Sequence, residues 1–484
     1  MQYFCYFLVM MNESSIKELY LQYLSQLSNE RDKLMKRFLL LLCVTITAMV
    51  AWADDGPKSI SLTTEQKQLV TSNNDFAFNL FRLARNEESQ ILSPLSITYA
   101  LGMLNNGAAG ETQEQINTVL GFGDAGADAI NDFCLKMLTE APGLDEQTKV
   151  MIANTIYFNK AKGYELKEDF VKKAKQYYDA EPESRDFNDG KTLDVINKWA
   201  NDHTEGMIPE ILKEDEFDAQ AVSYLLNAIY FKGTWTLKFD ANETKNESFN
   251  GNYEVPMMHL KEKELTYTEN DECQALTLPY GNGAYQMTIL LPLEGKSVND
   301  VLKELTAEKW KQNYQWMDEA IVDVKLPRFE TKTDMNLEEI MSDLGMPNAF
   351  IYGLADFPGF CTCEDIYIDL MKQVAKIKVN EEGTEAAAVT IIGMKDSSVQ
   401  DPPHFKFYAN RPFLYVISER STGSIFFIGQ YMGESSKGDP SGISPSSLNN
   451  EPSTKIYNLA GQQLSTPPTK GIYIKNGKVV VAGE

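Results

Sequence analysis

The chain has 484 residues, enough for one large mixed α/β domain with appendages, and its 43% hydrophobic content predicts a sizeable packed core. A formal net charge of −24 excludes the basic footprint that nucleic-acid phosphates or a polyanion such as heparin require. That acidity fits a solubilising surface.

In chain order, residues 1–34 are expected to be an upstream segment assigned in error, with translation starting at Met35. Met35-Lys36-Arg37, the apolar run Phe38–Val50 and Ala51-Trp52-Ala53 make a basic n-region, a short h-region and an A-x-A cleavage site. Residues 35–53 therefore read as a secretory signal peptide, which places the mature chain outside the cell or on its surface. The run from Phe38 to Ala53 falls short of the ~20 residues a membrane-spanning helix needs. Cys134, Cys273, Cys361 and Cys363 remain after cleavage; they make no disulfide framework and are expected to be ordinary, partly buried thiols. His203, His259 and His404 are not spaced to complete a metal site with them, so neither metal nor cofactor is expected.

The first helix is expected from Asp75, on the spacing of Phe76, Leu80 and Leu83. A second opens at Ser93-Pro94, serine capping and proline at the first helical position, with Gly107 as its stop. A third is expected from Thr112, with Gln115 at capping-box spacing. From Met151 onward short apolar runs take over: Met151–Phe158, Tyr224–Phe231, Tyr285–Leu291, Ile321–Leu326, Pro412–Ile417 and Ser424–Ile428. Runs of this kind read as strands buried on both faces, the last two forming a hairpin. Helices first and then strands, without βαβ alternation, mean an α+β fold. Residues 435–454 are rich in Ser, Gly, Pro and Asn and read as a flexible linker. Residues 455–484 follow as a small β module, leaving 54–434 as the main domain.

Catalysis finds no support. The chain contains no G-x-S-x-G elbow, H-E-x-x-H helix, phosphate-binding loop or dinucleotide fingerprint. None of the three histidines sits beside a candidate nucleophile in a recognisable context, so the chain is not read as an enzyme. One segment is unusual instead: Glu381-Glu382-Gly383-Thr384-Glu385-Ala386-Ala387-Ala388-Val389-Thr390. Its Glu/Ala composition alone would fit an exposed helix or linker. Strand-like Ile366–Val379 before it, and Phe405–Tyr408 and Pro412–Ile417 after it, argue otherwise. Alanine is poor strand material by propensity, yet a uniformly small segment is what must slide between two existing strands.

This segment resembles the hinge of the reactive-centre loop of inhibitory serpins, and the resemblance extends over nearly all of Asp75–Met432. Ile91-Leu92-Ser93-Pro94-Leu95-Ser96-Ile97 is similar to the family's second helix. Ala153-Asn154 resembles a strand motif, and Ile196-Asn197-Lys198-Trp199 with Thr204-Glu205-Gly206-Met207-Ile208 a helix and its exit. Leu226-Asn227-Ala228-Ile229-Tyr230-Phe231-Lys232-Gly233-Thr234-Trp235, Leu278-Pro279-Tyr280, Leu326-Pro327-Arg328-Phe329 and Asn410-Arg411-Pro412-Phe413-Leu414 follow in family order.

The resemblance implies a serpin fold, about nine helices around three β-sheets with an exposed reactive-centre loop. It also implies an irreversible inhibitor of serine endopeptidases, and of some cysteine endopeptidases, that is cleaved in the loop and then inserts the hinge into its central sheet. Alternate residues Thr384, Ala386, Ala388 and Thr390 would enter the core, and all are small. Ser93, Ser96 and Asn227 match the polar cluster that controls sheet opening; the family histidine of that cluster corresponds to Gln373, a departure. Trp235 matches the tryptophan where insertion begins. Family geometry places the bait bond fourteen residues past Gly383, at Ser397-Ser398, whereas residue chemistry favours Lys395 for a trypsin-like target or Met394 for a chymotrypsin- or subtilisin-like one. An elastase-like target also belongs to this group. The region of the family's basic helix carries Asp124, Asp128 and Asp132 against Lys136, so no polyanion partner is implied, and a monomer is expected. The tail, Ile456-Tyr457-Asn458-Leu459-Ala460-Gly461-Gln462 with Gly471-Ile472-Tyr473-Ile474, resembles the sorting modules of secreted Bacteroidetes proteins, which direct type nine export and surface attachment.

Overall fold

The computed structural model describes residues 57–315, 317–361, 366–384 and 403–433, together with the backbone of four short strands between 456 and 482. Its first helix, α1 (Thr64–Ala84), starts well before Asp75 because Thr63 and Gln66 form a capping box. The Thr63 Oγ1 accepts from the Gln66 N–H at 3.2 Å, and the Gln66 Oε1 accepts from the Thr63 N–H at 3.1 Å. Helix α2 (Pro94–Asn105) begins where the sequence places it, with Ser93 as cap. Helix α3 (Gly110–Val119) begins two residues before Thr112 and has no side-chain cap. Thr112 and Gln115 are engaged elsewhere, accepting from the Asp356 and Asn348 N–H groups at 3.0 and 3.1 Å. Helices α4 (Gly126–Glu140), α5 (Glu168–Tyr178), α6 (Thr192–His203), α7 (Val298–Glu304), α8 (Ala307–Asn313) and α9 (Glu338–Leu344) complete nine among the described residues.

The strands up to residue 433 are β1 (Gln90–Leu92), β2 (Thr148–Asn159), β3 (Glu183–Arg185), β4 (Ser223–Thr234), β5 (Lys245–Phe249), β6 (Tyr253–Glu269), β7 (Cys273–Tyr280), β8 (Tyr285–Pro292), β9 (Asp318–Pro327), β10 (Phe329–Asn336), β11 (Leu370–Asn380), β12 (Gly383–Thr384), β13 (His404–Tyr408), β14 (Phe413–Glu419) and β15 (Ile425–Tyr431). Every apolar run read as a strand falls on one of them, with Pro412 and Ser424 standing one residue before β14 and β15, and those two strands pair as the expected hairpin. They form two sheets. The six-stranded sheet has the order β10-β11-β12-β4-β2-β3. The nine-stranded sheet runs β1-β15-β14-β8-β7-β6-β9-β13 with β5 on β6, and β6 bends at a register shift between Leu260 and Lys263.

Side-chain alternation along β4 builds two cores, one on each face of the six-stranded sheet. Leu225, Ile229 and Phe231 join the large core that also takes in seven side chains of α2, a helix buried along its whole length. Tyr224, Leu226 and Ala228 face the other way, into a smaller core with Ile196 and Trp199 of α6. Both faces are covered, so both parities of β4 are apolar, which is why the strand reads as a continuous hydrophobic run.

The chain divides into two compact units, Met1–Glu434 and Ser435–Glu484. Within the second, β16 (Ile456–Tyr457), β17 (Gln463–Leu464), β18 (Gly471–Lys475) and β19 (Lys478–Ala482) form a third, antiparallel sheet in the order β17-β16-β18-β19. The signal-peptide segment 35–53 and residues 1–34 lie outside the described residues.

The cysteine expectation needs one correction. Cys134 and Cys273 are buried free thiols as anticipated, but Cys361 is disulfide-bonded. Its partner falls outside the described residues, as does Cys363. The count of four was too low to indicate a framework, and a framework is not needed for a single bridge.

Candidate functional site

The site is a seam. Strands β4 and β11 run parallel and pair directly over one stretch, Leu370–Lys376 opposite Tyr224–Tyr230. Beyond Lys376 they part, and the chain leaving β11 turns back into the gap. Gly383 and Thr384 then pair antiparallel with both neighbours, Thr384 facing Val379 on one side and Gly233 on the other.

Local chemistry makes that turn. The Asn380 Oδ1 accepts from the Glu382 and Gly383 N–H groups at 3.0 and 3.2 Å, an Asx-type bend. Gly383 holds φ +142°, and a Cβ there would lie 2.1 Å from the Gly233 carbonyl oxygen, so only glycine fits. Trp235 anchors the bend from β4's side: its Nε1 donates to the Asn380 carbonyl at 2.9 Å and its backbone N–H to the Glu382 carbonyl at 2.9 Å. Tyr280 stacks on Trp235 with centroids 4.3 Å apart, and its hydroxyl lies 2.9 Å from the Thr384 Oγ1. Thr384 is fully buried.

The two glutamates at the bend are both paired. Lys238 donates to Glu382 at 2.7 Å. Arg328 meets Glu381 through Nε at 3.1 Å and Nη2 at 2.5 Å, and the Thr244 hydroxyl donates to it at 2.6 Å. Burial pushes the Glu381 carboxyl up, but the Arg328 and Thr244 bonds outweigh it and hold the group below its ordinary value.

Beneath the seam, four residues singled out in the sequence converge. Gln373 of β11 donates from Nε2 to the Ser93 carbonyl at 3.1 Å and to the Asn227 Oδ1 at 2.5 Å, while its Oε1 accepts from the Ser93 N–H at 3.0 Å. Asn227 of β4 donates to the Ser96 Oγ and to the Asn154 Oδ1. The Ser93 hydroxyl donates to the Phe426 carbonyl at 2.7 Å. Ser93, Ser96 and Gln373 have no exposed surface and Asn227 has 1%, so every one of these bonds replaces water. Glutamine suits this place because it both donates and accepts, and here it bridges α2 to both central strands. At the foot of the seam the Asp369 Oδ2 accepts from the Val222 and Ser223 N–H groups at 2.6 and 3.1 Å.

Of the hinge, Glu381, Glu382, Gly383 and Thr384 are therefore placed. Glu385 to Thr390 and the bait candidates Met394, Lys395, Ser397 and Ser398 lie outside the described residues. Arg328, Thr244, Tyr280, Asn154 and Asp369 were not assigned roles from the sequence. Arg328, Tyr280 and Asn154 stand within quoted motifs, which was the available signal; Thr244 and Asp369 carried none.

Fold and seam together define an α+β protein whose six-stranded sheet holds a two-residue strand, Gly383–Thr384, between the parallel strands β4 and β11. Comparison with known proteins gives this class its family. A family model described as serpin (serine protease inhibitor) matches residues 71–433. A serpin-like protein of Thermococcus kodakarensis is 33% identical over 375 residues, covering 76% of this chain and 86% of the relative. The leukocyte elastase inhibitor of Equus caballus is 34% identical over 386 residues, covering 75% of this chain and 99% of that one. The native structure of tengpin, a thermophilic serpin, superposes with a TM-score of 0.69 at 29% identity, covering 78% of this chain and 96% of that one. The chain belongs to the serpin family, whose fold it has, and several of its relatives are named as protease inhibitors.

Proposed function

We propose that this protein is a suicide-substrate inhibitor of serine endopeptidases, cleaved between Met394 and Ser398 and then completing the entry of 385–393 into the seam. One observation carries this reading. Val379 and Gly233, which both face Thr384, are offset in sequence by the same amount as Leu370 and Tyr224, which face each other directly. A strand continuing from Thr384 in that register therefore separates β4 and β11 without sliding either along the other. Ten residues, 384–393, would fill the seam down to Leu370 and Tyr224, which leaves the bait region just beyond its foot.

The entering side chains suit their destinations. Those sharing Thr384's face would be Ala386, Ala388 and Thr390, all small enough for a packed interior, and then the apolar Ile392; the run contains no proline to break the ladder. Each new pair adds backbone hydrogen bonds on both sides, the driving force for trapping a protease still attached to the cleaved loop. The same reading takes the protein as monomeric and exported by its signal peptide. Its tail serves sorting or surface attachment, and it requires no polyanion.

Incubation of the full chain with trypsin, elastase, chymotrypsin and subtilisin tests this. An SDS-stable adduct with at least one of them is expected, and mass spectrometry of the released fragment locates the bait bond. Turnover of the loop by all four without any adduct would sink the inhibitor reading and leave a serpin fold used for binding.

A further inference from the structure

Lys372 is buried without exposed surface, the one lysine so placed among the described residues. It sits on β11 with its side chain on the α6 face, opposite in parity to Gln373. Its Nζ lies 2.6 Å from each Glu216 carboxylate oxygen and 2.7 Å from the Asp334 Oδ1. Asp334 belongs to β10 and also meets Lys213 at 3.0 Å. Lys213 and Glu216 belong to the connector between α6 and β4.

That connector crosses the seam. It ends in β4, yet Lys213 and Glu216 fasten it to β10 and β11 on the other side. On either side of these attachments, Ile208, Ile211, Leu212 and Ala221 pack in one cluster with Tyr224, Leu226 and Ala228 of β4 and with Leu370 and Val374 of β11. A strand entering in the register of Gly383 and Thr384 would bring position 391 level with Lys372 and Leu226, directly under the connector.

A buried ion pair is a weak source of net stability beside an apolar replacement, but losing one partner is costly because a charge is left unpaired. Such a group holds two elements in one arrangement. We propose that Lys372, Glu216, Asp334 and Lys213 form a strap that closes the lower seam, so that Lys372 is a positioning residue setting how fast the last part of the strand enters. Entry level with Lys372 lifts the connector and breaks the Glu216 contact, while the Asp334 contact lies outside the seam and persists. This assignment rests on the insertion reading above.

The test uses the full-length protein and a synthetic peptide of residues 383–394, whose uptake requires no protease. Glu216→Gln leaves Lys372 paired with Asp334 and should fold; Glu330→Gln is the control, since Glu330 pairs with Lys376 at 2.8 Å on the same two strands and makes no contact with the connector. Uptake is read as a mobility shift on native gels and as the rise in melting temperature of the filled sheet. Glu216→Gln is expected to take up peptide on the order of tenfold faster than wild type, about the effect of removing one charge-assisted contact from a barrier, while Glu330→Gln matches wild type. Equal rates for wild type and Glu216→Gln, or equal acceleration by both variants, overturn the strap. No uptake by wild type overturns the insertion reading itself, and the strap with it. Lys372→Met, which removes the fully buried charge and leaves the partly exposed Glu216 carboxylate to water, should accelerate uptake like Glu216→Gln and guards against a folding defect in either.

Discussion

Gln373 and Asn227 face each other across the seam, joined by a hydrogen bond of 2.5 Å from the Gln373 Nε2 to the Asn227 Oδ1. Adjacent strands lie about 4.8 Å apart, so a strand between them moves the pair to about 9.6 Å and the bond cannot persist. If the proposed strand continued in the register of Gly383 and Thr384, the residue arriving between them would be Thr390, whose hydroxyl can donate to one and accept from the other. On the proposed insertion, the seam would exchange one buried hydrogen-bond network for another.

Removal of the exchange partner should act on one state only. Thr390→Val is expected to leave the melting temperature of the uncleaved protein within error of wild type and to lower that of the loop-cleaved protein. A comparable fall in both forms would place Thr390 elsewhere.

Loss of the existing network should act on the uncleaved form. Gln373→Ala leaves the Ser93 N–H and the Asn227 Oδ1 without partners, at a cost of about 1–3 kcal/mol each for a buried group left unsatisfied. The expected result is a lower melting temperature and faster loss of inhibitory activity on mild heating, followed by residual adduct formation. Unchanged heat inactivation would argue against a controlling role for this cluster.

Thr384 is fully buried against Tyr280, so Thr384→Arg places a charge where none can be solvated, at a cost of several kcal/mol. The variant should be cleaved as an ordinary substrate without forming an adduct. A covalent complex in normal yield would show that insertion does not begin here.

On the α6 face, continuing the register brings Glu385 level with Lys378 and Lys232. Glu385→Lys would place three cations in a row across the sheet, which disfavours entry. More cleaved loop and less adduct per mole of protease are expected, with partial recovery at high salt, where screening weakens the repulsion. A salt-independent defect would exclude the electrostatic cause.

Acid should loosen the seam at both ends. For Glu381, Glu216 and Asp334 burial pushes the carboxyl up, yet cationic partners outweigh it and hold each below its ordinary value: Arg328 for Glu381, Lys372 for Glu216, and Lys372 with Lys213 for Asp334. Depressed carboxyls contribute stability that is complete above the unfolded values of 4.5, 4.5 and 3.8 and is lost as pH falls through the folded ones. Glu338, raised mainly by burial, has the opposite sign, and three groups oppose one. The melting temperature of the uncleaved protein should therefore fall below about pH 4.5, and less steeply in Glu381→Gln. Parallel curves for the two proteins would remove Glu381 from the account.

Much of this was legible in the sequence wherever the cause was local. The Ser93-Pro94 helix start, the β14–β15 hairpin and the two-faced strands follow from capping chemistry and from period-two burial, which act within a few residues. The same local logic misplaced the starts of α1 and α3. The Thr63–Gln66 capping box was passed over, while Thr112 and Gln115 were drawn to partners more than two hundred positions away.

The sequence by itself determined the pattern we read as a hinge: Gly383 free to take a backbone that other residues avoid, then small residues at alternate places through Thr390, because side-chain alternation belongs to the strand alone. Only the tertiary structure decided what the hinge meets. Glu381 is held by Arg328, Gln373 reaches Ser93 and Asn227 at once, and Lys372 ties a connector across the seam. Period two says which face a residue takes, but which strand lies beside it is set by how distant segments pack and how their polar groups find partners.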